Sequence, residues 1–211
     1  METVMEVTIM KTLDSLTSYQ VLQHRRLKDI QSDGALLEHK RSGARIILLS
    51  NDDENKVFTI GFRTPPVDNT GLTHILEHAV LCGSRKFPAK DSFVELAKGS
   101  LNTFLNAMTF ADKTIYPVAS RNDQDFQNLM DVYMDAVLHP NIHHQEEIFL
   151  QEGWNYNLEA VDAELKYNGV VYNEMKGAFS APERVVYRSV LNSLFPDTIY
   201  SYESGGHPDD I

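Results

Sequence analysis

Between residues 56 and 63 polar and apolar side chains alternate, with Phe58, Ile60 and Phe62 on one side of an extended chain and Val57, Thr59, Gly61 and Arg63 on the other. A period of two marks a strand with one buried face. Upstream, residues 34–40 and 44–49 are two further β-like runs joined by Arg41, Ser42 and Gly43, a short glycine-containing link that predicts a hairpin. Residues 1–20 show no firm period and stand as a lead-in to this region. Downstream, residues 101–109 and 113–119 predict two more strands, and Pro117, which has no amide hydrogen to give to a ladder, favours an edge position or an irregularity.

The period then changes. Behind Asn122 and Asp123, the residues Phe126, Leu129, Met130, Tyr133, Met134 and Val137 recur at helical spacing until His139 and Pro140, so the segment predicts an amphipathic helix whose apolar stripe is core. Shorter helices are predicted over residues 91–98, stopped by Gly99, and over residues 170–176, between Gly169 and Gly177. Another starts at Pro182 and runs through Val185, Val186, Val190 and Leu194. Residues 154–159 and 165–170 read as extended, and residues 204–211 as a loop with nothing that closes a domain. No internal repeat or low-complexity linker interrupts the chain. Strands and helices interleaved by short links predict an α+β fold built on a largely antiparallel sheet packed with helices.

Composition narrows the class of protein. At 211 residues and 42% hydrophobic, the chain can bury a core, and its formal charge of −11 makes nucleic acid an unsuitable partner and cationic peptides a suitable one. Cys82 is the single cysteine, which excludes an internal disulfide framework. The first residues lack the pattern of a secretory or organellar leader, and no apolar run approaches membrane-spanning length, so the expectation is a cytoplasmic protein without a membrane partner.

The chemistry lies in residues 71–83. Pro65 and Pro66 end the preceding strand, Asp68, Asn69 and Thr70 supply turn and capping residues, and Gly83 closes the helix predicted between them. On that helix His74 and His78 stand one turn apart on one face, with Glu77 beside them. Two imidazoles so spaced can ligate one zinc ion, and the adjacent carboxylate can take a proton from a water that the ion activates. The order His-x-x-Glu-His is the reverse of the commoner His-Glu-x-x-His of zinc peptidases.

A catalytic zinc needs a third protein ligand. Glu95, Glu146, Glu147, Glu152, Glu159, Glu164, Glu174 and Glu183 all follow the motif, and spacing does not choose among them. Glu174, in a short helix framed by glycines and preceded by Val170 and Val171, looks most like a carboxylate held in a packed element, where a buried charge needs a partner such as zinc. His143 and His144 are adjacent and project apart, so they read as a solvated helix start. Cys82 reads as a small buried residue rather than a ligand or redox switch.

Several separated blocks in order, residues 74–84, Leu105-Asn106-Ala107, Gln151-Glu152-Gly153-Trp154 and residues 169–177, closely resemble the presequence-protease branch of the pitrilysin-type zinc metallopeptidases, from about Tyr19 to the end of the chain. The resemblance implies His74, His78 and Glu174 as zinc ligands and Glu77 as general base. It implies a clamshell of four related α+β domains closing on unstructured oligopeptides, of which residues 1–211 are the catalytic zinc-binding first domain, incomplete at its C-terminus. The far domains, which bring an arginine and a tyrosine to the active site in that family, are then partners these residues lack, and the piece alone is expected to be inactive. Many relatives carry a second glutamate seven residues before the ligand; here Tyr167 stands there, and Glu152 is the candidate to replace it.

The strand from Asn102 through Asn106 and Ala107 to Met108 is expected to bind an extended peptide by strand addition, with Asn106 either holding a substrate carbonyl or serving as a turn amide. Two other readings stand beside the peptidase: a non-catalytic structural or partner subunit, and a zinc enzyme acting on a small molecule.

Overall fold

A computed structural model describes residue 13, residues 15–90 and residues 92–211. The lead-in over residues 1–12 and the expected helix start at Asp91 lie outside them. The chain divides into two compact units between Glu54 and Asn55.

In the first unit β1 (Tyr19–Leu27), β2 (Ser32–His39) and β3 (Arg45–Ser50) form an antiparallel sheet in the order β1-β2-β3. The β2–β3 pair is the hairpin that residues 41–43 predict, in register from Glu38 opposite Arg45 to Asp33 opposite Ser50. Strand β1 is the one that alternation does not delimit. Its register shifts between Val21 and Gln23, and an irregularity of that kind breaks the period of two on which the reading depends. Leu13, Ala35 and Leu37 are the buried core of this unit.

The second unit is built on a sheet in the order β4-β7-β5, from β4 (Lys56–Arg63), β5 (Asn102–Leu105) and β7 (Lys113–Ser120), with β6 (Met108–Thr109) also pairing with β7. All pairings are antiparallel. Pro117 therefore sits in the central strand, and the sheet accommodates it by an irregularity. The Pro117 carbonyl accepts the Asn106 amide, so its hydrogen-less nitrogen also faces the β5 side. The missing donor falls where β5 has ended and β6 has not begun, which splits the single strand expected over residues 101–109. Asn106 and Ala107 lie in the gap.

Among the described residues of this unit the α-helices are α1 (Leu72–Val80) and α2 (Ser92–Gly99) between β4 and β5, then α3 (Asp123–Leu138), α4 (Glu146–Glu152), α5 (Val170–Ala178) and α6 (Pro182–Leu194) after β7. A small hairpin of β8 (Asn155–Asn157) and β9 (Lys166–Asn168) lies between α4 and α5. Helix α3 begins as its sequence indicates, with the Asn122 side chain accepting the Asp125 amide, and its Leu129 and Tyr133 form a core with Tyr116 and Val118 of β7. Phe58 and Ile60 of β4 pack on this core, together with Val80 and Leu81 at the end of α1; Phe62 remains exposed. A second core joins Ile75 of α1 to Val171 and Met175 of α5 and to Ile211. Helix α1 is thus gripped from two sides, which leaves the face between them for function. Helix α6 starts at Pro182 as its sequence indicates, and its Val185, Val186, Val190 and Leu194 are all exposed. Among the described residues no helix is long and apolar enough to cross a membrane.

Asp135, on the buried side of α3, escapes the hydrophobic pattern. Its carboxylate accepts the Lys86 amide at 2.7 Å and the Arg85 guanidinium at 3.1 Å, tying down the chain that leaves α1. Burial pushes its pKa up, but the Lys86 amide and the Arg85 charge outweigh burial and hold it below the ordinary aspartate range. The native pKa lies below the unfolded one, so the stabilisation is present at neutral pH and is lost as pH falls through the native value. Asp135→Ala is expected to cost about 2 kcal/mol at pH 7, measured by denaturant unfolding, and less in strong acid.

Candidate metal centre

Helix α1 places the three candidate side chains, His74, Glu77 and His78, on one face. Its N-cap is not a residue of the Asp68-Asn69-Thr70 turn but Gly71, with φ of 69° and no side-chain capping bond. Asp68 instead accepts the Thr70 amide and hydroxyl, which lowers its pKa. The Gly71 carbonyl accepts the amides of His74 and Ile75, both at 2.9 Å. A Cβ on Gly71 would meet Gly206 Cα at 2.7 Å and the Gly205 carbonyl at 2.8 Å. Gly71→Ala is expected to destabilise by about 1–2 kcal/mol from the left-handed backbone alone, with a further cost from displacing Gly205 and Gly206, read as a lowered thermal midpoint. At the other end the helix stops at Val80 and Leu81, and Gly83, at φ of 100°, turns the chain two residues later.

His74 and Glu77 are buried and His78 half-buried. The two imidazoles meet edge to face with centroids 4.9 Å apart. From α5, Glu174 brings one carboxylate oxygen to 3.7 Å from His74 Nε2 and the other to 3.6 Å from His78 Nε2. Among the described residues this is the one group whose ligand atoms, all within 4.8 Å of one another, could hold a metal ion. Two ligands each about 2.1 Å from a tetrahedral zinc lie about 3.4 Å apart, so the spacing is close to what an ion needs.

The far nitrogens of the rings test the fit further. His74 Nδ1 lies 2.9 Å from the Gly205 carbonyl, which can only accept, so Nδ1 carries the proton and Nε2 offers its lone pair. His78 Nδ1 lies 3.4 Å from a carboxylate oxygen of Glu152, which is itself buried at the end of α4. Ligating histidines ordinarily use the second nitrogen in these two ways, on a backbone carbonyl and on a carboxylate. Burial pulls the His78 pKa down, but the Glu152 contact and the charges of Glu77, Glu174 and Glu152 outweigh it, and the net shift is upward. Burial likewise raises Glu152, and the contacts from His78 and Cys82 bring it below its usual range. These donors suit a divalent cation.

The remaining candidates separate cleanly. Glu77 accepts a hydrogen bond from the Thr109 hydroxyl of β6, and burial with the Glu77 charge drives the Tyr116 hydroxyl pKa far up. Glu174 is exposed rather than buried, so it reaches the histidines from an open surface and not as the packed carboxylate its surroundings in the sequence suggest. Glu95, Glu146, Glu147, Glu159, Glu164 and Glu183 are exposed and outside the group, as are His143 and His144. Cys82 is half-buried, its thiol 3.6 Å from the His78 carbonyl and 3.4 Å from Glu152. A cavity of about 740 Å³ opens over the site, lined by His74, Glu77, His78, Glu174, Asn106 and Ala107 among others. Asn102 does not line it, and its amide donates to the Ser100 hydroxyl.

Sequence reasoning does not reach Thr109 and Gly205. The adjacent Gly205 and Gly206 signal close backbone approach, but their partner lies far away in the chain.

With this geometry in place, comparison with known proteins identifies the family. A model of the insulinase family, peptidase family M16, matches residues 57–189, and the chain belongs to that family. Protein HypA of Clostridium perfringens is 59% identical over 195 residues, covering 92% of this chain and 20% of the relative. Presequence protease 1 of Arabidopsis thaliana, chloroplastic/mitochondrial, is 50% identical over 193 residues, with 92% and 18% covered. The mitochondrial presequence protease of Mus musculus is 43% identical over 201 residues, with 94% and 19% covered. The chain thus spans about a fifth of the length of these relatives. A crystal structure of pitrilysin superposes with a TM-score of 0.66 at 19% identity, over 92% of this chain and 19% of that one, a likeness of fold.

Proposed function

We propose that these residues are the catalytic first domain of a zinc metalloendopeptidase that degrades short, unfolded peptides in the cytoplasm. The observation that carries the reading is the meeting of His74, His78 and Glu174 beside a buried glutamate. Membership of a peptidase family and the presequence proteases among the relatives support the substrate class.

Zinc held by His74, His78 and Glu174 would supply a Lewis acid that acidifies water and polarises the scissile carbonyl. Glu77 accepts the proton of the attacking water and passes it to the leaving amine. The Thr109 hydroxyl holds one oxygen of Glu77, which lines the cavity, and so restrains the carboxylate. The edge formed by β5 and β6 pairs with an extended peptide through backbone groups, which makes binding tolerant of sequence. Asn106 and Ala107, exposed to the cavity in the gap between those strands, contact the peptide nearest the reacting bond.

Elemental analysis for zinc, together with a chelator-sensitive assay on an unstructured peptide, tests the reading. Zinc with cleavage supports it. No metal favours a structural subunit, and metal without cleavage by a full-length enzyme favours a small-molecule substrate. The 211 residues alone are proposed to bind zinc and turn over little or no peptide, and substantial turnover by them would overturn that part.

A further inference from the structure

The Gly205 carbonyl that accepts the hydrogen bond from His74 Nδ1 belongs to a loop held by a buried acid. Glu203 is 5% exposed, and one carboxylate oxygen accepts the Arg184 guanidinium at 2.7 Å and the Gly205 amide at 3.2 Å. The other oxygen lies 3.3 Å from Arg188 Nε, one turn further along α6. The Glu203 amide donates to the Asn69 side chain at 2.9 Å, and the His207 amide to the Asn69 carbonyl at 2.8 Å, which anchors both ends of the loop just before α1.

Three peptide planes lie between these anchors, and the last two are each bonded at both of their ends. In the plane joining Ser204 to Gly205, the amide donates to the Glu203 carboxylate and the carbonyl accepts the Thr73 hydroxyl at 3.2 Å. In the plane joining Gly205 to Gly206, the amide donates to the Glu203 carbonyl at 2.9 Å and the carbonyl accepts His74 Nδ1. The Glu203 side chain thus supplies the acceptor to the first of these two planes, and its backbone carbonyl the acceptor to the second. The two arginines could balance its charge without the contact to the Gly205 amide, so charge pairing alone does not account for that contact. Its consequence falls on the ring of His74. An imidazole with its proton on Nε2 cannot offer that nitrogen to an ion, and a carbonyl fixed at Nδ1 selects the other tautomer.

We propose that Glu203 is a positioning residue of the metal centre, acting through the Gly205 carbonyl to hold His74 in the tautomer and orientation that bind the ion. The inference rests on the metal reading above and involves residues beyond the span matched by the family model.

The test is zinc affinity, by competition with a chromophoric chelator, and the unfolding midpoint of the metal-free protein, for the intact chain and three variants. Glu203→Ala removes the acceptor of the Gly205 amide and is expected to weaken zinc binding by about 10–100-fold. Glu203→Gln keeps an acceptor oxygen but no charge, so its affinity stays near that of the unsubstituted protein while its unfolding midpoint falls with that of Glu203→Ala. Thr73→Val leaves the arginine pairs intact and weakens zinc by a smaller factor. Equal affinity in Glu203→Ala and the unsubstituted protein overturns the inference, and so does an equal loss in Glu203→Gln, which would make the ion pair alone responsible. Should Glu203→Ala not fold, unchanged affinity in Thr73→Val overturns it as well. An unsubstituted protein that binds no zinc defeats the metal reading itself, and the inference with it.

Discussion

Glu77→Gln is expected to leave zinc in place and to lower peptide hydrolysis by about 10²–10⁴-fold in the full-length enzyme. The side chain keeps its size, and its amide oxygen can still accept the Thr109 hydroxyl, so neither the packing of α1 nor the three proposed ligands should move. What is lost is the ability to accept a proton. The fall should lie in kcat with KM little changed, because the interaction removed belongs to the transition state. Zinc content measured on the same sample separates this from loss of the metal. A variant that retains full turnover would refute the assignment of Glu77 as base.

His78→Ala and Glu174→Ala should both lose zinc and hydrolysis, and by more than the roughly 10–100-fold in affinity that follows from removing a partner of a ligand. The two differ in the metal-free state. His78→Ala strips Glu152, 6% exposed, of its imidazole, and a buried acceptor left without its partner costs about 1–3 kcal/mol. Glu174 is exposed and packs into neither core, so its removal should change metal-free stability by no more than about 0.5 kcal/mol. Denaturant unfolding without zinc reads the difference. Tight zinc binding by Glu174→Ala would remove that residue from the centre and reopen the choice of third ligand.

Much of the second unit is legible along the chain because its elements are locally consistent. The alternation around Phe58 and Ile60 and the stripe through Leu129 and Tyr133 each report one buried face, and those faces meet in one core. Elements whose pattern depends on a distant contact are less legible. The shifted register hides β1, and the gap opposite Pro117 divides what reads as one strand into β5 and β6. Asp135 looks like one more polar helix residue until the chain beyond α1 folds back on it. Residues 204–211, which read as a loop closing nothing, instead place Ile211 in a core and the Gly205 carbonyl on His74.

The sequence by itself determines that His74, Glu77 and His78 share a face, because helical geometry converts a spacing of three or four residues into adjacency. It also determines the antiparallel α+β character, since alternation and helical periodicity are local properties of the chain. Only the tertiary structure decides which of eight glutamates joins the histidines. The same holds for Glu152 at one far ring nitrogen, for Gly205 at the other, and for Thr109 on Glu77. Those choices are made by contacts between residues as much as 131 positions apart in the chain, where spacing carries no information about direction.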